Sequence, residues 1–187
     1  MARIYMIRHG RPASTWGDDD QDPGLDDAGR TQAEQAAEVL LALPQPLMRV
    51  VSSPLRRCRE TAEPFARALG VAVEIDPRVG EIPTPAALAQ DERPGWLRQA
   101  FGGLWREIEG DLDYDAWRRG VADAVAEHEG AAVFSHYVAI NAAVSTALDD
   151  ERVMGFRPDH CSITVFEPGE GGLILIEKGR EAATQVL

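Results

Sequence analysis

Residues 4–10, with the sequence IYMIRHG, are the stretch that decides the fold. Residues 4–7 form a short apolar run of β-prone residues, which is typical of a strand buried on both faces. The run ends abruptly in Arg8, His9 and Gly10. In an open α/β sheet, ligands bind in the crevice outside the carboxyl ends of the strands. The triplet therefore lies where a functional site is expected.

The three residue types of this triplet suit phosphate chemistry. Arg8 can bind an anion with two parallel hydrogen bonds, and His9 can act as a nucleophile or a base. Gly10 allows a close approach of the backbone. A strand that simply ends in polar residues at the surface is the alternative. From these residues alone, the two interpretations are equally supported.

The composition is that of a globular protein with an acidic surface. The 187 residues suffice for one domain with a full core, and 44% hydrophobic and 27% charged residues are ordinary values. The net charge of −12 disfavours nucleic acid and anionic membranes as partners. An anionic substrate would need a local basic pocket, so arginines near the expected site are informative.

Neither the cysteines nor the acidic loop predicts a metal site. Cys58 and Cys161 fit no disulfide framework and no zinc-ligand spacing, and both are expected to be buried thiols. The acidic run 18–20 does not begin a calcium loop, because the sixth and twelfth positions counted from Asp18 are Pro23 and Gly29 rather than Gly and Glu.

With no leader sequence and no apolar run of bilayer length, a cytoplasmic location is expected.

Helical and strand patterns alternate along the chain. The spacing of apolar residues, caps and breakers predicts helices over 26–43, 54–69, 114–129 and 138–148, and further strands over 49–52, 71–75, 131–134, 161–166 and 173–177. We therefore expect a three-layer α/β/α sandwich whose sheet is mostly parallel. The hairpin at the end of the chain requires at least one antiparallel strand.

Polar residues follow several of these strands. Arg56, Arg57 and Arg59 lie in the first turns of the helix after the second strand, where a helix N-terminus also favours an anion. His136 follows the strand 131–134 much as His9 follows the first. His128 instead falls on an apolar helix stripe, so a structural role is expected for it.

The segment 82–118 is the least regular part of the chain. It contains three of the four tryptophans, Trp96, Trp105 and Trp117, together with Phe101. This composition suits a cap inserted in an α/β core, a packed surface helix pair or a homodimer contact.

Several separated segments together resemble the histidine phosphatase superfamily, which includes cofactor-dependent phosphoglycerate mutases and many small phosphatases. The matching segments are RHG at 8–10, DPGL at 22–25 with Gly29 and QA at 32–33, SPLRR at 53–57 with ETA at 60–62, SH at 135–136 and, more weakly, CSIT at 161–164. They cover most of the chain except about residues 82–112. The resemblance implies a single phosphoglycerate-mutase-like domain, with the cap-like insertion at about 82–118.

The resemblance also implies roles for site residues. His9 would be the nucleophile that takes the phosphoryl group, and Arg8, Arg57 and His136 would bind the phosphate oxygens. Two guanidiniums and a protonated imidazole can supply the charge stabilisation that phosphoryl transfer needs without a metal. Since His9 must be neutral and His136 is best protonated, we expect their environments to push their pKa values apart.

Glu81 is at the position where the family has the acid that protonates the leaving group. Glu74 lies inside a strand pattern and Asp76 at its turn, so both are poorer candidates. An ordinary surface carboxylate is the alternative for Glu81.

Three departures from the family pattern concern the substrate rather than the chemistry. Gly10 is followed by Arg11 and Pro12 instead of an acidic or amide residue, so Arg11 either adds a substrate contact or points outward. Residues 137–138 are Tyr-Val where the family often has two glycines, and residues 82–85 are IPTP where the mutases have a Gly and a Trp-Glu-Gly pattern.

These features favour metal-independent hydrolysis of a small phosphorylated metabolite through a phosphohistidine, with no cofactor. A cofactor-dependent phosphoglycerate mutase and a non-catalytic phosphate-binding regulatory protein are the alternatives.

Overall fold

The computed structural model describes residues 2–14 and 22–183, so the acidic run 18–20 lies outside the described residues. The described helices are α1 (Asp27–Leu41), α2 (Arg56–Leu69), α3 (Arg93–Phe101), α4 (Tyr114–Ala126) and α5 (Tyr137–Ala147). The described strands are β1 (Ile4–Arg8), β2 (Arg49–Ser52), β3 (Val73–Ile75), β4 (Ala131–Ser135), β5 (Ile163–Gly169) and β6 (Gly172–Glu177). Short 3₁₀ turns cover Pro77–Val79 and Trp105–Glu107.

The described strands form one six-stranded sheet in the order β3-β2-β4-β1-β5-β6. Strands β1 to β4 are parallel, β5 is antiparallel to β1, and β6 is antiparallel to β5. The predicted mostly parallel sheet with a terminal antiparallel hairpin is confirmed. In the pairing of β1 with β4, Arg8 is opposite Ser135, so both strands end at the same level.

Helices cover both faces of the sheet, which confirms the three layers. On one face, α1 and α2 bury a cluster that includes Leu40, Cys58 and Phe65. On the other face, α4 and α5 bury a larger cluster that includes Val125 and Ile140. Strands β1 and β4 contribute residues to both clusters, as expected for strands buried on both faces.

Local signals fix several helix ends, and one expected start is wrong. The Asp26 carboxylate accepts a hydrogen bond from the Gly29 amide at 2.7 Å and caps α1 as predicted. Gly70 ends α2 in the left-handed conformation, with φ of 69°. Helix α2 begins at Arg56 instead of residue 54, because Ser53 is still part of the extended chain leaving β2.

The segment 82–118 contributes to the core on the α4 and α5 side. It contains α3, and its Trp105 is 1% exposed within the larger cluster. The Trp105 ring lies 5.9 Å from that of Trp117, and the Trp96 ring lies 5.7 Å from that of Tyr114. Trp105 and Tyr114 are buried, whereas Trp96 and Trp117 are half-buried and pack against the same cluster. These aromatic contacts anchor the segment beside the sheet.

Both cysteines are free thiols, but they differ in how deeply they are buried. Cys58 is fully buried, whereas Cys161 is only half-buried, so the expectation of two buried thiols is wrong for the second. Cys161 lies just before β5, with a φ of 54° in the left-handed region. Among the described residues, no helix is both long and apolar enough to cross a bilayer.

Candidate active site

The carboxyl ends of β1 and β4 bring the two sequence-predicted histidines together. The His9 amide donates a hydrogen bond to the Ser135 carbonyl at 3.0 Å, which ties the two strand ends. The ring centroids of His9 and His136 are 5.3 Å apart, and both residues are buried. Residues 127 positions apart in the sequence thus become neighbours through one parallel strand pairing.

The ring of His9 has a defined tautomer. Its Nδ1 atom lies 2.8 Å from the carbonyl oxygen of Gly10. Because a carbonyl oxygen only accepts hydrogen bonds, Nδ1 must carry the proton. The lone pair of the neutral ring is then on Nε2, which is the nitrogen left for nucleophilic attack.

Arg8 is a buried cation at the end of β1. Its Nη1 donates to the Pro158 carbonyl at 3.0 Å, and the guanidinium lies 5.1 Å from the centre of the Tyr137 ring. Burial lowers the pKa of Arg8 to about 10, so the side chain stays charged at neutral pH. Tyr137, where the family often has glycine, therefore covers one face of this guanidinium.

Arg57 is the arginine of the 56–59 group that enters the site. It is buried, and its Nη2 lies 3.2 Å from His136 Nδ1 and 3.9 Å from a carboxylate oxygen of Glu81. Arg56 and Arg59 are exposed, and Arg56 pairs with Glu60 on the surface. The first turn of α2 thus directs one of its three cations inward.

Glu81 lies next to these cations. Its side chain is 7% exposed, and its Oε2 lies 3.6 Å from His136 Nδ1. Its other oxygen accepts a hydrogen bond from the Ile82 amide at 3.0 Å. The other two carboxylates weighed for this role have partners elsewhere, since Glu74 pairs with Arg49 and Asp76 contacts His128 and Arg78.

Gly10 fits a tight packing contact. A Cβ atom there would lie 2.7 Å from the carbonyl oxygen of Gly29, at the start of α1. The Gly10 amide donates to the Thr61 hydroxyl at 2.9 Å, and that hydroxyl donates to the Arg57 carbonyl at 2.6 Å. Gly10 thus lets β1 pack against α1 and links the RHG segment to α2.

Arg11 is not part of the buried group. Its side chain is 57% exposed, and its Nε lies 2.5 Å from the Asp26 carboxylate. Of the two orientations considered for Arg11, the structure shows the outward one. His128 is also remote from this chemistry, because its Nε2 lies 2.9 Å from the carboxylate of Asp76.

The expectation that His136 is protonated while His9 is neutral is not met in this geometry, because the pKa values of both rings are lowered. Burial, then the charges of His136, Arg8 and Arg57, hold the pKa of His9 well below 6.5. Burial, then Arg57, Arg8 and Arg93, do the same for His136. Both imidazoles are therefore neutral at neutral pH, because they are buried and because the neighbouring cations disfavour a further positive charge.

Two further residues near the site were missed from the sequence. The ring of His160 lies 5.9 Å from that of His9, and burial and nearby Arg8 lower its pKa to about 4. Arg93 begins α3 and is close enough to His136 to lower its pKa. The signal for His160 was its position directly before the CSIT segment, whereas nothing in the local pattern distinguished Arg93.

Within the described ranges, no group of three or more His, Cys, Asp or Glu side chains is arranged to hold a metal ion.

A model of the histidine phosphatase superfamily (branch 1) matches residues 4–179. The chain belongs to this superfamily. Among curated proteins, the chain is similar to a glucosyl-3-phosphoglycerate phosphatase from Mycobacterium tuberculosis, with 43% identity over 82 residues. That match covers 42% of this chain and only 36% of the mycobacterial protein. A protein named "Probable phosphoglycerate mutase GpmB" from Enterobacter sp. (strain 638) is 28% identical over 186 residues, which are 88% of this chain and 84% of that protein.

Solved structures show the same fold. A mycobacterial glucosyl-3-phosphoglycerate phosphatase has a TM-score of 0.72 at 26% identity, covering 97% of this chain and 100% of that chain. A phosphoserine phosphatase from Entamoeba histolytica, in complex with 3-phosphoglyceric acid, has a TM-score of 0.74 and covers 98% of both chains. At 20% identity, the second likeness is one of fold alone.

Proposed function

We propose that this chain is a metal-independent phosphomonoesterase that acts through a phosphohistidine on a small phosphorylated metabolite. The observation that supports it most directly is the 2.8 Å contact between His9 Nδ1 and the Gly10 carbonyl, which leaves Nε2 as the free nucleophile. Around this ring, Arg8 and Arg57 supply two buried cations. Membership of the superfamily agrees with this chemistry.

In the first step, His9 Nε2 attacks phosphorus, the N–P bond forms and the ester P–O bond breaks. Protonated Glu81 gives its proton to the leaving alkoxide. In the second step, Glu81 accepts a proton from water, whose oxygen attacks phosphorus and releases inorganic phosphate and His9. A bound phosphate dianion adds two negative charges near His136, which raises the pKa of that ring and allows it to donate to a phosphate oxygen.

We also propose that Arg93 recognises a second anionic group of the substrate, such as a carboxylate. Its side chain is half-buried, and its charge contributes, after burial, Arg57 and Arg8, to the lowered pKa of His136. Burial is the main cause of a lowered pKa of Arg93 itself, and Glu81 and Arg57 are the charges that affect it. The names of the mycobacterial relatives, which specify a phosphoglycerate ester, are consistent with such a substrate.

A phosphoglycerate mutase is the second candidate, because the match to the Enterobacter protein of that name covers most of both chains. A mutase must retain a bisphosphate and return its second phosphate, whereas a phosphatase passes the phosphoryl group to water. Interconversion of 2- and 3-phosphoglycerate that depends on added bisphosphate would favour the mutase.

Homodimer formation and a cytoplasmic location stay predictions from the sequence.

The test is hydrolysis of para-nitrophenyl phosphate by the wild type and by His9→Ala, both in excess chelator, from mildly acidic to neutral pH. We expect wild-type turnover that chelation does not reduce and that His9→Ala abolishes. A folded His9→Ala variant with the wild-type rate would contradict the nucleophile assignment. Wild-type protein that neither hydrolyses this ester nor interconverts phosphoglycerates would instead point to the non-catalytic phosphate-binding alternative.

A further inference from the structure

Ser53 makes a close contact with His136 that the proposed mechanism does not use. The Ser53 hydroxyl oxygen lies 2.8 Å from His136 Nε2, and both residues are completely buried. These residues are 83 positions apart and meet because β2 and β4 are paired. A polar pair buried this deeply costs free energy unless its hydrogen bond is made.

The other side of the ring fixes the direction of this hydrogen bond. Arg57 Nη2 lies 3.2 Å from His136 Nδ1, and a guanidinium can only donate. Nδ1 must therefore hold the lone pair of the neutral ring, and Nε2 must carry the proton. It follows that Nε2–H donates to the Ser53 hydroxyl oxygen.

Among the contacts of the described residues, the Ser53 hydroxyl is the one oxygen within hydrogen-bond distance of His136 Nε2. The sulfur of Cys58 lies 3.3 Å from Nε2, but a thiol is a weak acceptor, and its own proton is directed to the Ser135 carbonyl at 3.4 Å. Ser53 itself is well anchored, because its amide donates to the Phe134 carbonyl at 3.0 Å. The hydroxyl is therefore held in a fixed position relative to the ring.

We propose that Ser53 is a positioning residue, whose hydroxyl accepts the Nε2 proton of His136 and holds the ring with Nδ1 toward the phosphate side of the site. Nδ1 then faces Arg57 and Glu81. When Arg57 donates to a bound phosphoryl group instead of to the ring, Nδ1 can take a proton and donate it to a phosphoryl oxygen. This inference rests on the proposed function for its catalytic consequence, but the tautomer itself does not. The titratable and charged groups facing the ring come from four parts of the chain. They are Arg57 and Cys58 from α2, Glu81 from the segment after β3, Arg8 at the end of β1 with His9 directly after it, and Arg93 from α3.

The chain offers a matched control in the neighbouring residue. Ser52 is also completely buried, and its hydroxyl donates to the Ser53 carbonyl at 2.8 Å, without a contact to His136 among those the structure gives. Ser52→Ala and Ser53→Ala therefore remove the same atom from adjacent buried positions. Ser53→Thr keeps a hydroxyl at the position and serves as the conservative variant.

The first readout is the ¹⁵N spectrum of the imidazole rings, in which protonated and unprotonated nitrogens have different shifts. The signals of the four histidines are assigned with single His→Gln variants. We expect His136 to be protonated on Nε2 in the wild type and in both alanine variants, because Arg57 still donates to Nδ1. Only Ser53→Ala should shift the Nε2 signal, because only this variant loses the acceptor of the Nε2 proton. A wild-type spectrum with the proton on Nδ1 would overturn the proposal, whether or not any variant folds.

The second readout is hydrolysis of para-nitrophenyl phosphate. Loss of an acceptor for a charged imidazole predicts that kcat falls by about 10- to 100-fold in Ser53→Ala. Ser52→Ala should keep its rate, and Ser53→Thr should recover most of the loss. Equal rates for Ser52→Ala and Ser53→Ala, or a folded Ser53→Thr as impaired as Ser53→Ala, would overturn the positioning role. An inactive wild type would contradict the proposed function alone, since the ring spectrum still decides the tautomer.

Discussion

Replacement of Arg57 by alanine is the perturbation whose effect the structure defines best. Arg57 is buried and directs its Nη2 to the His136 ring at 3.2 Å. In the proposed reaction, its guanidinium stabilises negative charge on the phosphoryl oxygens in a site that excludes water. Loss of such a donor costs about 3–4 kcal/mol of transition-state stabilisation, which lowers kcat/KM by about 10² to 10³.

The same substitution removes the partner of a buried carboxylate. At the 3.9 Å separation of Arg57 and Glu81, two unit charges attract by about 4 kcal/mol at an effective dielectric constant of about 20. Part of this attraction is offset because water reaches Glu81 once the side chain is shortened. The variant is therefore expected to unfold at a lower urea concentration while still folding to the native state at low urea.

The assay measures kcat/KM for para-nitrophenyl phosphate in Arg57→Ala, Arg57→Lys, Arg56→Ala and Arg59→Ala, with urea unfolding as a check on folding. Arg57→Lys keeps the charge but loses the planar fork, so we expect it to recover only part of the activity. Arg56 and Arg59 are exposed and should affect the rate by less than about threefold, as expected for surface charges. Equal losses for all three alanine variants would refute the assignment of Arg57.

Three other predictions follow from the site. Glu81→Gln should slow the hydrolysis of an alkyl phosphate much more than that of para-nitrophenyl phosphate, whose leaving group needs little protonation; equal slowing would remove Glu81 from the acid role. Gly10→Ala should lower the free energy of unfolding by about 1–3 kcal/mol, because the new Cβ would lie 2.7 Å from a backbone oxygen, and an unchanged urea midpoint would contradict that packing. Acidification should destabilise the protein, because the pKa values of His9, His136 and His160 are lower in the folded state than the unfolded value of about 6.5. The unfolded state then binds more protons below pH 6.5, and each group removes up to about 1.4 kcal/mol of stability per pH unit, for His160 until about pH 4. Urea midpoints that are equal at pH 7 and pH 5 would contradict this.

The sequence determined the architecture because the signals for helices and strands are local. The apolar run at 4–7, the cap at Asp26 and the stop at Gly70 each act within a few residues, and each is found in the structure as predicted. The predicted start of α2 is wrong by two residues, because Ser53 still belongs to the extended chain leaving β2 and the helix begins only at Arg56.

Only the tertiary structure decided which polar residues share the site and how they ionise. Sequence reasoning brought His9, Arg57, Glu81 and His136 to one edge. The 3–4 Å contacts among Arg57, Glu81 and His136, and the 5.3 Å distance between the rings of His9 and His136, depend on the register of β1, β2 and β4. The same strand pairing brought Ser53 to His136, and the packing of α3 brought Arg93 near that ring. The pKa values of the site residues could not be predicted from the sequence for a related reason. They depend on burial and on the charges of several segments that are distant in the sequence, and neither can be read from one segment alone.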